Sequence, residues 1–293
     1  NSLNENLQLN HEPQKTLWLG SNFPRERMTE RLREDPNEVD YASNKTICDL
    51  DMKHVVPSTL KGSLLVGDIR ALNHHLKQPK SKLKKMLRTA GEVDVVSGGP
   101  PCQSFSMAGM RDRENQRNRL PWEFAEFVGS VQPKIALLEN VSGILRPFNQ
   151  DGEQYFAWFE VAKAFAAKNY VPLCLHINAK YVGVAQNRPR FIMLAFRKDV
   201  AQRLIENSRF TKLVEALKDS MSFSVAAKND QSIQYGSLYY YDIKRDIDFF
   251  SSDLFGDNPF EALMTFKDSE VVSVKDAIDD LRNYKVKQST YVK

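Results

Sequence analysis

The sequence predicts an α/β fold built on a largely parallel sheet, and two features of its pattern lead to this prediction. Short apolar runs, each followed at once by turn or polar residues, alternate with longer segments of helical periodicity. This alternation is typical of β-α-β units, whose strands pair in parallel. The chain of 293 residues, 42% hydrophobic, can bury a full core in one large domain with an appendage or in two modest domains.

The predicted strands are short apolar runs that end in a small or polar residue. They cover residues 63–66, 93–96, 134–138, 171–177 and 190–196. The last two lie close enough in sequence to pair as a hairpin around residues 183–189. The final run is the clearest prediction of a buried strand, because it is apolar along almost its whole length.

The predicted helices are the segments between these runs whose apolar residues recur at helical spacing. They cover residues 70–88, 121–131, 155–168 and 198–217. Residues 220–270 are polar and aromatic without a clear period, which predicts an irregular insertion or a small subdomain.

Charge permits nucleic-acid binding without arguing strongly for it, because the net charge is only +4. Two segments are locally basic. Residues 80–85 contain four lysines and are most simply a solvated helix face, with phosphate contact as the alternative. Residues 111–119 lie next to Cys102, and there phosphate contact and a solvated surface are equally good interpretations.

The three cysteines are far apart and form no Cys-x-x-Cys pair, which favours a reducing compartment over a disulfide framework. Neither a membrane span nor a signal-peptide core is found in the sequence. The sequence therefore predicts a soluble, intracellular protein.

Three polar residues follow predicted strands directly: Asp68, Cys102 and Glu139. Ligands of open α/β sheets bind beyond the carboxyl ends of the strands, so these side chains are expected to converge on one rim. The glycines and prolines of residues 98–101 fix the Cys102 loop and let a substrate approach it. Cys102 is thus a candidate reactive thiol, the alternative being a buried inert one, which Cys174 inside an apolar run fits better.

Two further sites carry charged side chains that could take part in chemistry, and each has a simpler alternative. Glu139 is a candidate acid or base, or else a carboxylate that caps the next helix. Arg188 and Arg190 are two residues apart, so on an extended chain both guanidiniums could face one anionic or carbonyl target. The alternative for this pair is a basic surface turn.

Taken together, three motifs resemble those of the DNA cytosine-5 methyltransferase family in order and spacing. They are Gly-Pro-Pro-Cys-Gln-Ser-Phe-Ser at residues 99–106, Glu-Asn-Val at 139–141, and the segment 178–190, which ends in Gln-Asn-Arg-Pro-Arg. Residues 67–69 look like the adenine-contacting turn of this family, and residues 274–281 like the segment before its target-recognition region. The resemblance covers about residues 60–200 and this short later stretch.

The resemblance implies a Rossmann-like S-adenosylmethionine-dependent methyltransferase sheet with an irregular C-terminal extension. It implies methyl transfer to carbon 5 of a cytosine flipped out of duplex DNA. The thiolate of Cys102 would add to ring carbon 6, Glu139 would contact ring nitrogen 3 and the exocyclic amine, and Arg188, with Arg190 beside it, would hold the base carbonyl and the cysteine loop. The segment from 104 to 118 would close over the base.

The other residues that the resemblance assigns fall into two sets, and it implies no metal. The cofactor would be bound by Asp51, Asp68, Ile69, Pro100 and Leu120. The DNA would be bound by Gln103, Ser104, Ser106, Arg111, Arg113 and Gln186. Residues 1–200 would form the catalytic domain, with 1–45 irregular, and residues 201–293 an insertion and the start of the target-recognition region.

The sequence departs from the family in two places. A Phe-x-Gly-x-Gly-Gly cofactor loop is not found, and neither are the C-terminal elements that complete the cofactor pocket. The chain is then a fragment, one subunit of a split enzyme whose second polypeptide recognises the target, or an inactive relative. The intact Cys102, Glu139 and Arg188 argue against the last.

A bacterial cytoplasmic enzyme associated with the nucleoid is expected, either in a restriction-modification system or as an orphan enzyme. An RNA cytosine-5 methyltransferase of the same family is the alternative substrate class.

Overall fold

The computed structural model describes residues 15–19, 60, 63–89, 91–101, 119–150, 153–230, 233–250 and 271–278. These residues form a mixed α/β structure, which confirms the predicted fold class. The chain divides into two compact units, one comprising residues 1–94 and 123–133 and the other residues 95–122 and 134–293.

The first unit contains two strands that pair in parallel and the helices that follow them. Its elements are β1 (Lys15–Leu19), β2 (Ser63–Gly67), α1 (Ile69–Lys77), α2 (Lys82–Thr89) and, from residue 123 onward, α3 (Leu120–Val131). Leu76 of α1 and Leu83 of α2 are buried together, with Phe127 of α3 packed against them. Apolar burial on one side of each helix therefore holds this unit together.

The prediction of one helix over residues 70–88 is wrong, because the segment is two helices, α1 and α2. Pro79 lies between them. Proline has no backbone N–H to donate and disfavours helical backbone at the residue before it, so α1 ends at Lys77. Ser81 starts the next helix, since its hydroxyl oxygen accepts the backbone N–H of Lys84 at 3.0 Å.

The second unit contains a five-stranded sheet, a small hairpin and several helices. Its strands are β3 (Val95–Gly98), β4 (Ile135–Val141), β5 (Phe148–Gln150), β6 (Glu153–Tyr155), β7 (Tyr170–Asn178), β8 (Pro189–Arg197) and β9 (Tyr240–Asp242). Its helices are α4 (Ala157–Ala167), α5 (Lys198–Asn207), α6 (Thr211–Asn229), α7 (Ile247–Phe249) and α8 (Val274–Ile278), with 3₁₀ turns at Ser142–Leu145 and Ala179–Val182.

The sheet has the order β3-β4-β8-β7-β9. β3 pairs in parallel with β4, and β7 with β9, whereas β8 is antiparallel to both of its neighbours. The predicted hairpin of β7 and β8 is confirmed. Four of these five strands point the same way, so the carboxyl ends of β3 and β4 lie beside the amino end of β8.

Alternate residues of β7 and β8 pack on opposite faces of this sheet, as the pleat requires. On one face, Leu173 and Leu175 of β7 are buried with Leu217 of α6. On the other face Trp158 of α4 lies with its ring centroid 6.3 Å from that of Phe191. The sheet is therefore covered on both faces, and the residues at its carboxyl rim rest on a packed core.

Two predictions about the later part of the chain are wrong. Residues 198–217 form two helices, α5 and α6, rather than one, and residues 220–229 continue α6 rather than being irregular. Ser220 and Ser224 hide the helical period because they are polar yet buried, and the hydroxyl of Ser224 donates to the carbonyl of Tyr170 at 3.0 Å. Residues 240–242 form β9, an edge strand that depends on its pairing with β7.

Within the described part of the chain, no helix is both long enough and apolar enough to cross a membrane.

Candidate active site

The carboxyl ends of β3 and β4 meet at one rim of the sheet. Gly98 is the register partner of Leu138, so the backbone of Gly99 and Pro100 runs beside Glu139. β4 continues to Val141, which places Glu139 within the strand rather than after it. Cys102 lies outside the described residues, and its predicted meeting with Glu139 stays a prediction. The backbone that leads to Cys102 does pass this carboxylate.

Glu139 forms an ion pair with an arginine from the next strand. In the β4–β8 register Val141 faces Arg190, two positions along from Glu139, so both side chains project from the same face. Nε of Arg190 lies 2.6 Å from Oε1 of Glu139. The N–H is not aligned with that oxygen as a hydrogen bond requires, so the contact is an ion pair by distance and charge.

The pair is held by the surrounding backbone and is partly shielded from water. The Arg190 side chain is 21% exposed and that of Glu139 41%. Nη1 of Arg190 donates to the carbonyl of Pro189 at 2.9 Å. The alternative in which Glu139 caps the next helical turn is wrong, because Val141 occupies the N-cap position of that turn and no side chain caps it.

Arg188 lies elsewhere. Its side chain is exposed, as is that of Gln186. The backbone of Arg188, by contrast, is held by two hydrogen bonds. Its N–H donates to Oδ1 of Asn178 at 3.0 Å, and its carbonyl accepts the N–H of Ala179 at 3.2 Å. The structure thus brings Arg190 rather than Arg188 to Glu139, and a common target for both guanidiniums stays a prediction.

Gly99 gives Glu139 room to lie against the cysteine loop. A Cβ atom at this position would stand 3.2 Å from Oε2 of Glu139. That distance is tighter than ordinary van der Waals contact, so a larger residue at 99 would displace the carboxylate. The glycine therefore helps to set where the Glu139 oxygens lie.

Asn140 is a site residue that the sequence reasoning missed. It is only 3% exposed, and its Nδ2 donates to the carbonyl of Pro100 at 3.1 Å while its Oδ1 accepts the N–H of Val141 at 2.9 Å. The side chain thus ties the end of β4 to the backbone two residues before Cys102. A buried polar side chain needs such partners, and an asparagine inside an apolar strand was the available signal.

The predicted cofactor residues fall in different units. In the first unit Asp68 is the N-cap of α1, and its carboxylate accepts the backbone N–H of Arg70 at 2.8 Å. Burial raises the pKa of Asp68, but hydrogen bonds and the charge of Arg70 outweigh it, so the pKa is lowered and the group is ionised. Ile69 is the first residue of α1. In the second unit Pro100 follows β3 and Leu120 begins α3.

The remaining predicted site residues lie outside the described residues. They are Asp51, Cys102, Gln103, Ser104, Ser106, Arg111 and Arg113. Among the residues that are described, no group of three or more His, Cys, Asp or Glu side chains could hold a metal ion. Cys174 is buried, which raises the pKa of its thiol well above the ordinary value and fits the interpretation of an inert thiol.

The rim of this α/β sheet thus places the ion-paired carboxylate of Glu139 beside the backbone of Gly99 and Pro100. Residues 66–256, about two thirds of the chain, match the model of the family described as C-5 cytosine-specific DNA methylase. The chain belongs to this family.

Individual relatives match over shorter stretches. The type II methyltransferase M.DdeI of Desulfomicrobium norvegicum is 34% identical over 139 residues, which is 45% of this chain and 33% of that protein. M.NgoPII of Neisseria gonorrhoeae is 39% identical over 110 residues, covering 37% of this chain and 31% of that protein. The chain thus spans about a third of the length of these relatives.

Solved structures overlap only in part. A structure described as a DNA modification methyltransferase encoded within an E. coli prophage has a TM-score of 0.36 and 25% identity, covering 51% of this chain and 39% of that one. A Spodoptera frugiperda DNMT2 mutant has a TM-score of 0.29 and 21% identity, covering 47% and 37%. These scores add nothing to the family assignment.

Proposed function

We propose that this chain transfers a methyl group from S-adenosylmethionine to carbon 5 of a cytosine in duplex DNA. The observation that carries the proposal is the Glu139–Arg190 ion pair beside the Gly99–Pro100 backbone, in a chain of the cytosine-specific methylase family. The proposal is that a pyrimidine ring attacked by Cys102, two residues after Pro100, also meets this carboxyl group. The proposed DNA is duplex, with the target base flipped out of the stack.

Cys102 acts as the nucleophile. Its thiolate adds to carbon 6 of the ring, and the electron pair of the 5,6 double bond makes carbon 5 nucleophilic. Glu139 contacts ring nitrogen 3 and the exocyclic amine, which stabilises the adduct. Arg190 holds Glu139 in position through the ion pair, and Arg188, which is exposed, contacts the base carbonyl and the cysteine loop.

S-adenosylmethionine, when bound, supplies the methyl group. Asp68 fits it because an ionised, mostly buried carboxylate at a helix start accepts a hydrogen bond from the adenine amino group. The backbone N–H of Ile69 faces no helical acceptor and suits a ring nitrogen. The family resemblance also assigns Pro100, Leu120 and Asp51 to the cofactor, and Asp51 would contact its ribose. Once carbon 5 carries the methyl group, loss of its proton returns the electron pair to the ring and expels the Cys102 thiolate.

The rest of the assignment follows the relatives. They include type II methyltransferases and an orphan methyltransferase of Bacillus phage SPR, so both a restriction-modification and an orphan setting remain part of the proposal. The chain spans about a third of the length of its relatives. The proposed partners therefore include a further segment or a second polypeptide that recognises the target sequence. The proposed setting is the bacterial cytoplasm.

Methyl transfer from labelled S-adenosylmethionine to duplex DNA, and to tRNA, tests the proposal. We expect transfer to the duplex alone. Arg190→Gln should slow it about a hundredfold, because loss of one preorganised electrostatic contact in an active site costs about that much. The control is Arg203→Gln, since Arg203 forms an exposed ion pair on α5, and the rate should not change. Transfer to tRNA but not to duplex DNA would contradict the substrate class.

A wild-type rate in Arg190→Gln would remove the role assigned to the ion pair.

A further inference from the structure

A lysine-lined cavity in the first unit is not used by the proposed reaction. Residues 69–91 contain seven lysines and arginines and no aspartate or glutamate. Four of these basic residues, Lys80, Lys82, Lys84 and Lys85, line an open cavity of about 610 Å³ formed by α2 and the residues before it. We call this feature the lysine cavity. Its charge is positive and concentrated over six residues of sequence.

Three lysines of this cavity, Lys80, Lys84 and Lys85, lack the carboxylate partners that neighbouring basic residues have within the described part of the chain. On α1, Lys77 pairs with Glu126 at 3.0 Å and Arg70 pairs with Asp68. Lys80, Lys84 and Lys85 pair with no carboxylate among the residues that the structure describes. Their positive charge is therefore not compensated within the described chain.

The lysines also stand at the end of a helix that does not favour them. The amino end of a helix carries partial positive charge, and α2 has no acidic residue in its first turn. The exposed helix α5 shows the usual compensation, because Asp199 in its first turn pairs with Arg197 at 2.6 Å and Arg203 at 3.2 Å. A merely solvated helix face would resemble α5, and α2 does not.

The apolar side of α2 anchors the backbone that carries the lysines. Leu83 and Met86 are 6% and 5% exposed, and Leu87 packs against the same cluster as Leu83, whereas Lys82 and Lys85 are exposed. Ser81 caps the helix start and holds the backbone between Lys80 and Lys82. The backbone positions of the lysines are thereby set before any ligand binds, which lowers the entropic cost of binding.

We propose that the lysine cavity binds the phosphate backbone of duplex DNA, through residues other than those of the proposed active site. Ammonium groups bind phosphate as point charges, and several in an open cavity suit a chain of phosphates better than one small anion. Phosphates would also relieve the unfavourable charge at the start of α2. The choice of DNA rests on the proposed function.

The test compares the wild-type chain with the triple variant K80Q/K84Q/K85Q. Binding to a fluorescent duplex is followed by anisotropy at increasing salt. Each phosphate contact contributes about 0.9 to the slope of log affinity against log salt, so the triple variant should lose about 1 to 3 from that slope. At about 0.1 M salt its affinity should fall at least tenfold. Glutamine is a good helix former, so the melting temperature should stay the same or rise.

The matched control is K77Q, because Lys77 is already paired with Glu126 and its removal should leave the slope unchanged. If the triple variant were to unfold, K80Q alone would carry the test, since Lys80 precedes the helix. An unchanged slope in the folded triple variant overturns the proposal. So does a loss of binding to duplex RNA or to an acidic protein with duplex DNA binding intact.

Methyl transfer separates this proposal from the proposed function. At saturating DNA the triple variant should keep the wild-type kcat and show a raised KM for DNA. A wild-type chain that binds duplex DNA through the lysines but transfers no methyl group would contradict the proposed function alone. If the wild-type chain and the triple variant both transfer methyl groups with the same KM for DNA, the proposed role of the lysine cavity alone is contradicted.

Discussion

Replacing Asn140 by alanine should destabilise the protein by about 2–3 kcal/mol. The buried asparagine side chain makes two part-buried hydrogen bonds, one to the carbonyl of Pro100 and one from the N–H of Val141. Each such bond contributes about 1 kcal/mol net, and a backbone group left buried without a partner adds a desolvation cost of similar size. Water entering the space left by the side chain would offset part of that desolvation cost. The loss of stability should therefore not exceed about 3 kcal/mol.

Urea unfolding of Asn140→Ala, followed by fluorescence, measures this change in the free energy of unfolding. The matched control is Asn207→Ala, because the Asn207 side chain also donates to a carbonyl, at 2.8 Å, but in an exposed position on α5. That variant should lose less than about 0.5 kcal/mol. Equal losses in the two variants would refute the reasoning that burial makes the Asn140 bonds matter. Methyl transfer by Asn140→Ala should also fall, since Pro100 precedes Cys102, the proposed nucleophile, by two residues.

Three further predictions concern the same unit. Gly99→Ala should lower methyl transfer about tenfold while changing the free energy of unfolding by less than about 1 kcal/mol, because the new Cβ displaces only the flexible end of Glu139; wild-type turnover would contradict it. Trp158→Phe should cost less than about 1.5 kcal/mol in urea unfolding, since Nε1 of Trp158 is buried and has no hydrogen-bond partner among the described residues, whereas Trp158→Ala should cost about 3–5 kcal/mol. Asp242→Asn should weaken the fall of stability in acid. Burial raises the pKa of Asp242. Hydrogen bonds from His176 and from the backbone N–H groups of Arg245 and Lys244 lower it by more, so the net effect is a lowered folded pKa. Its stabilisation is therefore present above the unfolded pKa of about 3.9 and lost as pH falls through the folded pKa. Urea midpoints of the two proteins should converge as pH falls through the folded pKa of Asp242, and a constant difference would count against this linkage.

Local patterns in the sequence predicted the elements around the site well. The apolar runs that became β3, β4, β7 and β8 are bounded by turn residues, and the β7–β8 hairpin follows from their short separation. Pro79 was also a readable signal, and the segment it interrupts forms two helices. The break between α5 and α6 has no proline or glycine, so local propensity could not locate it.

The arrangement of the site depended on tertiary register, which a single sequence does not contain. Arg188 and Arg190 are equivalent in composition, but only Arg190 lies in the ladder of β8, opposite Val141 and near Glu139. The same register sends Asn140 to the other face, where it meets Pro100. β9 also depends on tertiary pairing, because its three residues form a strand only by pairing with β7.

The measurement that tests the central proposal most directly uses duplex DNA in which the target cytosine is 5-fluorocytosine. Fluorine at carbon 5 cannot leave as a proton, so the thiol that attacks carbon 6 stays bound to the base after methyl transfer. Incubation with S-adenosylmethionine, followed by peptide mass spectrometry, should find the DNA adduct on Cys102 of the wild-type chain and no adduct in Cys102→Ser. An adduct that still forms in Cys102→Ser, or one that maps to another residue, would contradict the mechanism.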